Sequence, residues 1–318
     1  MSERILLVRL SAIGDIVHTM PTAVAIKKAQ PEWRLDWVVQ SNLRPLLEGF
    51  RFVDQVIEVP RRPRLGDLFG IRKELRERRY TVGLDMQGLF KSARVLALSG
   101  AKRRLGYYWQ REGAWLFSKA VKPAADKTHV VDHYLAVAEA LVGPVHEVEF
   151  GLEPTETALA KANELLKPVR DRAENRRLLA VNLGAGQPEK RWPIPSFARA
   201  ISLARNSGWE PFLIGGPMDA AAAEELSGSC EAPPVSLVGK TSLDVLVGVL
   251  ALADAHLGGD TGSTHIAVAL DKPVACMMGP TRPERSGPYR RPHQVVYKEG
   301  DAFRDIAPEE VVALLPPV

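Results

Sequence analysis

Cysteine is scarce in this chain: Cys230 and Cys276 are the only two in 318 residues. Two such residues supply neither a disulfide framework nor a metal cluster, and they suit a reducing cytosol. Long apolar runs are missing as well. The first, Ile5 to Leu10, is short and broken by Arg9, so no secretory leader is expected in it. No stretch approaches the roughly 20 residues of a membrane-spanning helix. Acidic residues are thin in the first part of the chain. Residues 1–125 hold 12 Asp and Glu against 23 Lys and Arg, a balance of +11 that the net charge of +4 conceals. Such an excess points to an anionic partner: nucleic acid, a membrane surface or a phosphorylated substrate. For any single arginine, a solvated charged face accounts for it equally. What is present, 46% apolar and 25% charged residues, is the make-up of a water-soluble globular protein long enough for two domains.

Strand-length apolar runs alternate with helical patterns. Arg4 to Leu10 gives way to Ser11-Ala12-Ile13-Gly14-Asp15 and then to helical spacing from Ile16 to Lys28. Asp15 suits a helix cap or first turn, and at the end of a first strand it also faces the crevice where open α/β sheets bind ligands. Strands are expected over Leu35–Gln40, Gln55–Val59 and Thr81–Met86, and helices over Leu65–Arg79, Lys91–Leu98 and Asp132–Leu141. Arg61, Arg62 and Arg64 sit in a loop broken by Pro60 and Pro63. Lys102, Arg103 and Arg104 follow a glycine in the same manner. Trp109 to Phe117 mixes aromatics with charge and reads either as a surface that meets lipid or as the cover of a core. His129 and His133, one helical turn apart, have metal-ligand spacing without a third ligand, which favours packing. An alanine-rich helix over Pro154–Pro168, followed by the charge-dense Val169–Arg177, reads as the end of the first domain and a linker.

The alternation restarts at Leu178–Leu183, giving two α/β domains in tandem. Gly184-Ala185-Gly186 follows that strand, but Glu189 stands where a dinucleotide fingerprint has its third glycine. The turn leads instead into Lys190-Arg191-Trp192-Pro193, two cations at the end of a strand. Gly239-Lys240-Thr241 lacks the P-loop's earlier glycine, because Pro234 occupies that place; Thr241 to Asp244 reads better as a capping box. The densest motif is Gly258-Gly259-Asp260-Thr261-Gly262-Ser263-Thr264-His265. A strand, a glycine turn and a helix start, with Asp260 or Thr261 as cap, make a place for phosphate. Asp-Thr-Gly is also the aspartic-protease triplet, but that enzyme needs two copies in a strand-rich fold.

Arg9 to Pro21, Lys190-Arg191-Trp192-Pro193, Gly259 to Gly262 with His265, and Gly279-Pro280-Thr281 together resemble the lipopolysaccharide heptosyltransferases. Met86 to Ser92 and Trp109 to Glu112 resemble more narrowly the heptosyltransferase I branch. The resemblance spans nearly the whole chain. It implies an α/β protein of GT-B fold, two Rossmann-like domains facing across a cleft. Residues 1–168 would hold the acceptor and 169–318 the nucleotide sugar. It further implies transfer from ADP-heptose to a Kdo residue of the lipid A inner core with inversion. No metal, cofactor or nucleic acid is implied, and the enzyme would be cytoplasmic, peripheral to the inner-leaflet membrane surface.

By that resemblance Asp15 is the catalytic base. Gly186, Lys190, Asp219, Asp260, Thr261, Gly262 and His265 bind the donor, while Ser11, Gly14, Arg61, Arg62, Arg64, Lys91 and Arg111 bind the acceptor. This sequence departs from the family in two places. Gly186, Gln187 and Pro188 replace hydroxyl residues before the phosphate lysine, and Asp219 is shorter than the expected ribose-binding glutamate, so Glu224 can share that task. The chemistry agrees with the resemblance. Inverting transfer needs one carboxylate to take a proton from the acceptor hydroxyl, and fixed donors to meet the charge on the departing diphosphate. A GT-B nucleotide-sugar epimerase would share the phosphate turns without needing a basic loop. A nucleic-acid-binding protein would explain the basic half but not the glycine turns.

Overall fold

The computed structural model describes residues 3–184, 186 and 190–318. Gln187, Pro188 and Glu189, on which the glycine-loop comparison partly turned, lie outside the described residues. The chain divides into two compact units, Met1–Leu152 and Glu153–Val318.

The first unit is a six-stranded parallel sheet of β1 (Arg4–Val8), β2 (Arg34–Gln40), β3 (Gln55–Val59), β4 (Val82–Asp85), β5 (Arg103–Tyr107) and β6 (Lys119–Val121). Its helices are α1 (Ile13–Ala29), α2 (Leu65–Glu77), α3 (Phe90–Ser99) and α4 (Val130–Val142). The strand order β3-β2-β1-β4-β5-β6 is doubly wound. The central strands are apolar almost throughout because helices cover the sheet. Leu6, Val8, Val38 and Ile57 pack with Ile71 and Leu75 of α2 and with Val95 and Leu96 of α3.

The second unit repeats the plan. Its elements are α5 (Glu156–Ala173), β7 (Arg177–Asn182), α6 (Ile194–Asn206), β8 (Trp209–Ile214), α7 (Ala220–Gly228), β9 (Val235–Ser236), α8 (Leu243–Leu252), β10 (Ala255–Gly259), α9 (Gly262–Ala269), β11 (Val274–Met278), α10 (Pro283–Ser286), β12 (Val295–Tyr297) and α11 (Pro308–Val312). The order β12-β11-β10-β7-β8-β9, read from its first strand β7, is the same winding. Trp192, Phe197, Trp209 and Phe303 fill its core beside Leu179, Val181 and Leu257.

The expected boundary at residue 168 moves. The alanine-rich helix does not close the first unit; it opens the second. Ala158, Ala162, Leu166, Val169 and Ala173 form its buried stripe, a helical spacing that carries it five residues past Pro168. It packs on α8. Gly248 permits the approach, since a Cβ there would stand 2.7 Å from the Ala158 carbonyl oxygen. The charge from Arg170 to Arg172 therefore lies on the exposed face of a helix, and Arg176 and Arg177 lead directly into β7.

Candidate functional site

In a doubly wound sheet the strand order reverses at one point, and the strand ends there part to leave a crevice. The first unit reverses between β1 and β4, the second between β7 and β10. The predicted residues divide between these two places.

In the first unit, Asp15 is the third residue of α1, with Gly14 before it. Its Oδ2 accepts from the Ala12 N–H at 3.2 Å, so the expected capping role is real. The same oxygen lies 2.6 Å from Arg9 Nη2. Arg9 is buried; it also donates to the Met86 carbonyl oxygen and stands over the Tyr134 ring at 5.2 Å. One carboxylate oxygen is thus fixed from two sides. The side chain is 43% exposed, and among the described residues Oδ1 has no partner, which leaves it for a proton or a ligand.

Beside it, Lys91 Nζ donates to Ser11 Oγ at 3.1 Å, and Gln87 Oε1 accepts from the Leu10 N–H at 3.1 Å. Gln87 is set by Asp85 at the end of β4, whose Oδ1 accepts from the N–H groups of Gln87 and Gly88, each at 3.0 Å. Burial pushes the Asp85 carboxyl pKa up. Burial, with the charges of Arg9 and Arg61 among its neighbours, pulls the Lys91 ammonium down. Arg61 thereby belongs to the same electrostatic neighbourhood, as expected for a loop leaving the carboxyl end of β3. Arg62 and Arg64 are exposed in that loop, and the Arg64 N–H donates to Asp67. Arg111 is joined through its N–H to the Gly88 carbonyl at 2.8 Å, with its guanidinium over Trp109.

Lys102, Arg103 and Arg104 do not join this group. Arg103 and Arg104 begin β5 and Arg103 donates to the Ala140 carbonyl, which puts them at the amino ends of the strands, the opposite edge of a parallel sheet. His129 and His133 are likewise committed elsewhere. His129 Nδ1 accepts from the Val131 N–H as the cap of α4, and His133 bonds the Lys127 carbonyl oxygen.

In the second unit Asp260 is the centre. It takes Lys190 Nζ at 3.0 Å, His265 Nε2 at 3.1 Å and the Thr281 hydroxyl at 2.6 Å. Burial works to raise its pKa, but the bond and charge of His265, the charge of Lys190 and the Thr281 bond outweigh it. The carboxyl is held well below its ordinary range. Lys190 follows β7 and Asp260 follows β10, so the pair bridges the two strands that flank the reversal. Thr261 occupies the cap position of α9, but its side chain makes no cap bond. It reaches Ser263 Oγ at 3.0 Å instead. Ser263 Oγ also accepts from Asn182 Nδ2 at 2.7 Å and contacts His256 Nε2 at 2.9 Å. Burial lowers the His256 pKa to about 3, so the ring is neutral. The expectation of a capped helix start is corrected here: side chains of Thr261 and Ser263 bond each other and leave the first-turn N–H groups of α9 without that cap. Ser242 of α8 makes no side-chain cap bond either.

Asp219 turns back over the end of β7. Its Oδ2 accepts from the Gly216 N–H at 2.9 Å, and a Cβ on Gly184 would lie 2.4 Å from its Oδ1. Glycine at 184 is what lets this carboxylate settle there, and Gly186 is exposed. Glu224 is exposed on α7.

Sequence reasoning missed Arg9, Thr281, Gln87, Asn182 and Ser263. A charge breaking the apolar run of β1 was the available signal for Arg9. For Thr281 it was the Gly-Pro-Thr motif.

Residues 68–306 match the profile of Glycosyltransferase family 9 (heptosyltransferase). Lipopolysaccharide heptosyltransferase 1 of Escherichia coli K12 is 28% identical over 308 residues, covering 92% of each chain. Among solved structures, a glycosyl transferase family 9 protein from Veillonella parvula has a TM-score of 0.85 at 20% identity, covering 98% of this chain and 95% of its own. The E. coli heptosyltransferase WaaC with ADP has a TM-score of 0.77 at 25% identity, covering 97% of each. The fold is therefore the GT-B type that the resemblance implied.

Proposed function

Since the chain belongs to glycosyltransferase family 9, we propose that it is the transferase that moves heptose from ADP-heptose onto a Kdo residue of the lipid A inner core. The observation that carries the reading is the division of chemistry between the two sheet reversals. One holds a carboxylate with a single free oxygen, the other a lysine and a bare helix start suited to a diphosphate. Lipopolysaccharide as the acceptor's class, and ADP on the leaving group, are supported by what the similar proteins are and bind.

In this reading the acceptor hydroxyl gives its proton to Asp15 Oδ1 as its oxygen attacks the anomeric carbon. The bond from that carbon to the diphosphate breaks on the opposite face, which inverts the centre. The transition state is oxocarbenium-like, and the negative charge collects on departing ADP. Lys190 exchanges Asp260 for phosphate, and the N–H groups at the start of α9 add their partial positive charge. His265 and Thr281 keep the Asp260 carboxylate in place while Lys190 moves. Asp219 binds the ribose, being the acid that reaches the end of β7. Ser11, Lys91, Arg111 and the Arg61–Arg64 loop receive the acceptor's phosphates and carboxylates. The loop's charge also draws the enzyme to the cytoplasmic face of the inner membrane. With Lys190 and helix N–H groups meeting the diphosphate, magnesium has no required part.

The test is release of ADP from ADP-heptose, measured without acceptor, with Kdo-bearing acceptor and with an acceptor that already carries one heptose. Release only with the Kdo-terminated acceptor, undiminished by EDTA, is the expected result. Release confined to the heptosylated acceptor would assign the second transfer instead. Turnover of the nucleotide sugar without any acceptor would indicate an epimerase or hydrolase. Loss on chelation with rescue by Mg²⁺ would refute the metal-free step.

A further inference from the structure

Large hydrophobic side chains that stand in water gather in one part of the first unit. Leu65 is 78% exposed, Phe69 69%, Trp115 60% and Leu116 76%, with Phe90, Tyr108 and Trp109 more than a third exposed beside them. These positions share an origin. α2 leaves the carboxyl end of β3, α3 starts beyond β4, and the short turn Ala114–Leu116 lies beyond β5. All three therefore begin at one edge of the parallel sheet. α2 packs on α3, α3 packs on the turn, and the Phe90 and Phe117 rings meet at 6.3 Å. Ala114 is fully buried, so the turn is anchored while Trp115 and Leu116 are held outward.

The α2 helix presents two faces. Ile71 and Leu75 go into the core. Leu65 and Phe69, one turn apart, point the other way, and Arg72, Lys73 and Arg76 continue that outer stripe. Phe69, Arg72, Lys73 and Arg76 line a shallow groove of about 340 Å³. Gly66 and Gly70 flank Phe69 with no atom within 4 Å of where their Cβ would be. Neither packing nor backbone conformation asks for glycine at these two places, and a helix interior disfavours it. Their effect is to leave the rings and methyls of this face unscreened. Of the nearby acids, Asp67 is engaged by the Arg64 N–H, Glu74 by Arg78 and Glu112 by the Phe90 N–H, while Glu77 stands exposed at the far end of α2 from Leu65 and Phe69. The face is thus apolar at one end and cationic along the rest, as surfaces that lie on anionic bilayers are.

We propose that this edge of the first unit is a lipid-docking face. Leu65, Phe69, Trp115 and Leu116 enter the interfacial layer of a bilayer, and Arg72 and Lys73 lie against the phosphates of its anionic phospholipids. The inference deepens the membrane-surface part of the reading above, and assigns the anchoring to residues other than the acceptor loop. Aromatic and aliphatic groups give the depth; the cations select the charge.

The test uses the full chain and vesicles that contain no acceptor, so that its outcome does not depend on transfer. Sedimentation with phosphatidylcholine vesicles is compared with sedimentation with vesicles containing phosphatidylglycerol. The wild type should bind the anionic vesicles at least tenfold better. Replacing Leu65, Phe69, Trp115 and Leu116 together with Gln should lower that binding at least tenfold, even at low salt. Arg72→Gln with Lys73→Gln should weaken the preference for anionic lipid, leaving only the part that the Arg61, Arg62 and Arg64 loop supplies. Bromine-labelled acyl chains should quench the fluorescence of the wild type more than that of Trp115→Phe. Both multiple variants should keep full transfer to a water-soluble acceptor without acyl chains; with that activity lost, circular dichroism and thermal melting decide whether the variant has folded. Equal vesicle binding by the four-Gln variant and the wild type would overturn the proposal. So would a change from dimer to monomer in that variant with vesicle binding unaltered, because the face would then meet a second copy. Vesicle binding as expected, with no ADP release from ADP-heptose, would instead sink the proposed reaction alone.

Discussion

Replacing Asp15 by Asn and by Ala should separate two roles that one carboxylate combines. Arg9 lies almost wholly out of water, while the Asp15 side chain is 43% exposed. Asn keeps an oxygen for the guanidinium and for the Ala12 N–H. Ala leaves the buried cation with the Met86 carbonyl, Tyr134 and the nearby Asp85 carboxyl. An unsatisfied buried polar group costs about 1–3 kcal/mol. The half-exposed position of Asp15 lets water in and keeps the loss below the ~3–5 kcal/mol of a fully buried pair. In a unit of this size, Met1–Leu152, each kcal/mol moves the midpoint by about 2–4 °C. Asp15→Ala should therefore melt roughly 6 °C lower than the parent, and Asp15→Asn no more than about 3 °C lower. Both should lose on the order of 10²–10⁴ in kcat, since neither can take the proton, and both should bind ADP-heptose within a few-fold of the parent. Melting by calorimetry and ADP release supply the two readouts. More than about a tenth of the rate in Asp15→Asn would remove the base assignment. Equal melting of the two variants would show that Arg9 does not depend on this partner.

Lys190→Ala should weaken ADP binding by roughly 10- to 150-fold in titration calorimetry, the equivalent of about 1.5–3 kcal/mol for a charge-assisted bond; unchanged affinity would move the role to Arg191. Changing Arg61, Arg62 and Arg64 to Gln should raise the acceptor KM several-fold and flatten its salt dependence with the donor KM unmoved, whereas unaltered acceptor kinetics would make the loop a charged surface only. His256 is neutral when folded down to about pH 3, while the unfolded chain protonates it near 6.5. Between those values the unfolded state holds the extra proton, so stability is complete above pH 6.5 and falls as pH drops through the window, by up to ~1.4 kcal/mol per unit. Urea titrations at descending pH should show that slope diminished in His256→Gln; the same slope in both proteins would rule His256 out.

The alternation of apolar runs was enough to place Leu35–Gln40 and Thr81–Met86 within a residue of β2 and β4, because a doubly wound sheet buries its central strands on both faces. Asp15, Lys190 and Asp260 were legible for a related reason: each sits where an apolar run gives way to a turn, and the reversal of strand order brings such turns together. The pairing of Arg9 with Asp15 was not legible, since it depends on how the chain bends between β1 and α1. Where Lys102, Arg103 and Arg104 would lie was not legible, because a basic cluster after a glycine does not disclose which end of a strand it will occupy. The cap expected at Thr261 failed through competition: its hydroxyl had Ser263 as an alternative partner, and local spacing does not rank the two.

The packing of α5 on α8 bears on how halves of these enzymes can be recombined. A fragment begun at Glu153 keeps the Ala158–Ala162–Leu166 stripe that seals the surface around Gly248. One begun at Val169 would leave that surface wet and carry the last turn of a helix with nothing to nucleate it. Chimeras that graft the first unit of one family member onto the second unit of another should be joined between Leu152 and Glu153. Splicing at the charge-dense segment instead would mate an α8 from one parent with an α5 from the other, and the mismatch at Ala158 and Gly248 would surface as poor expression, not as altered specificity.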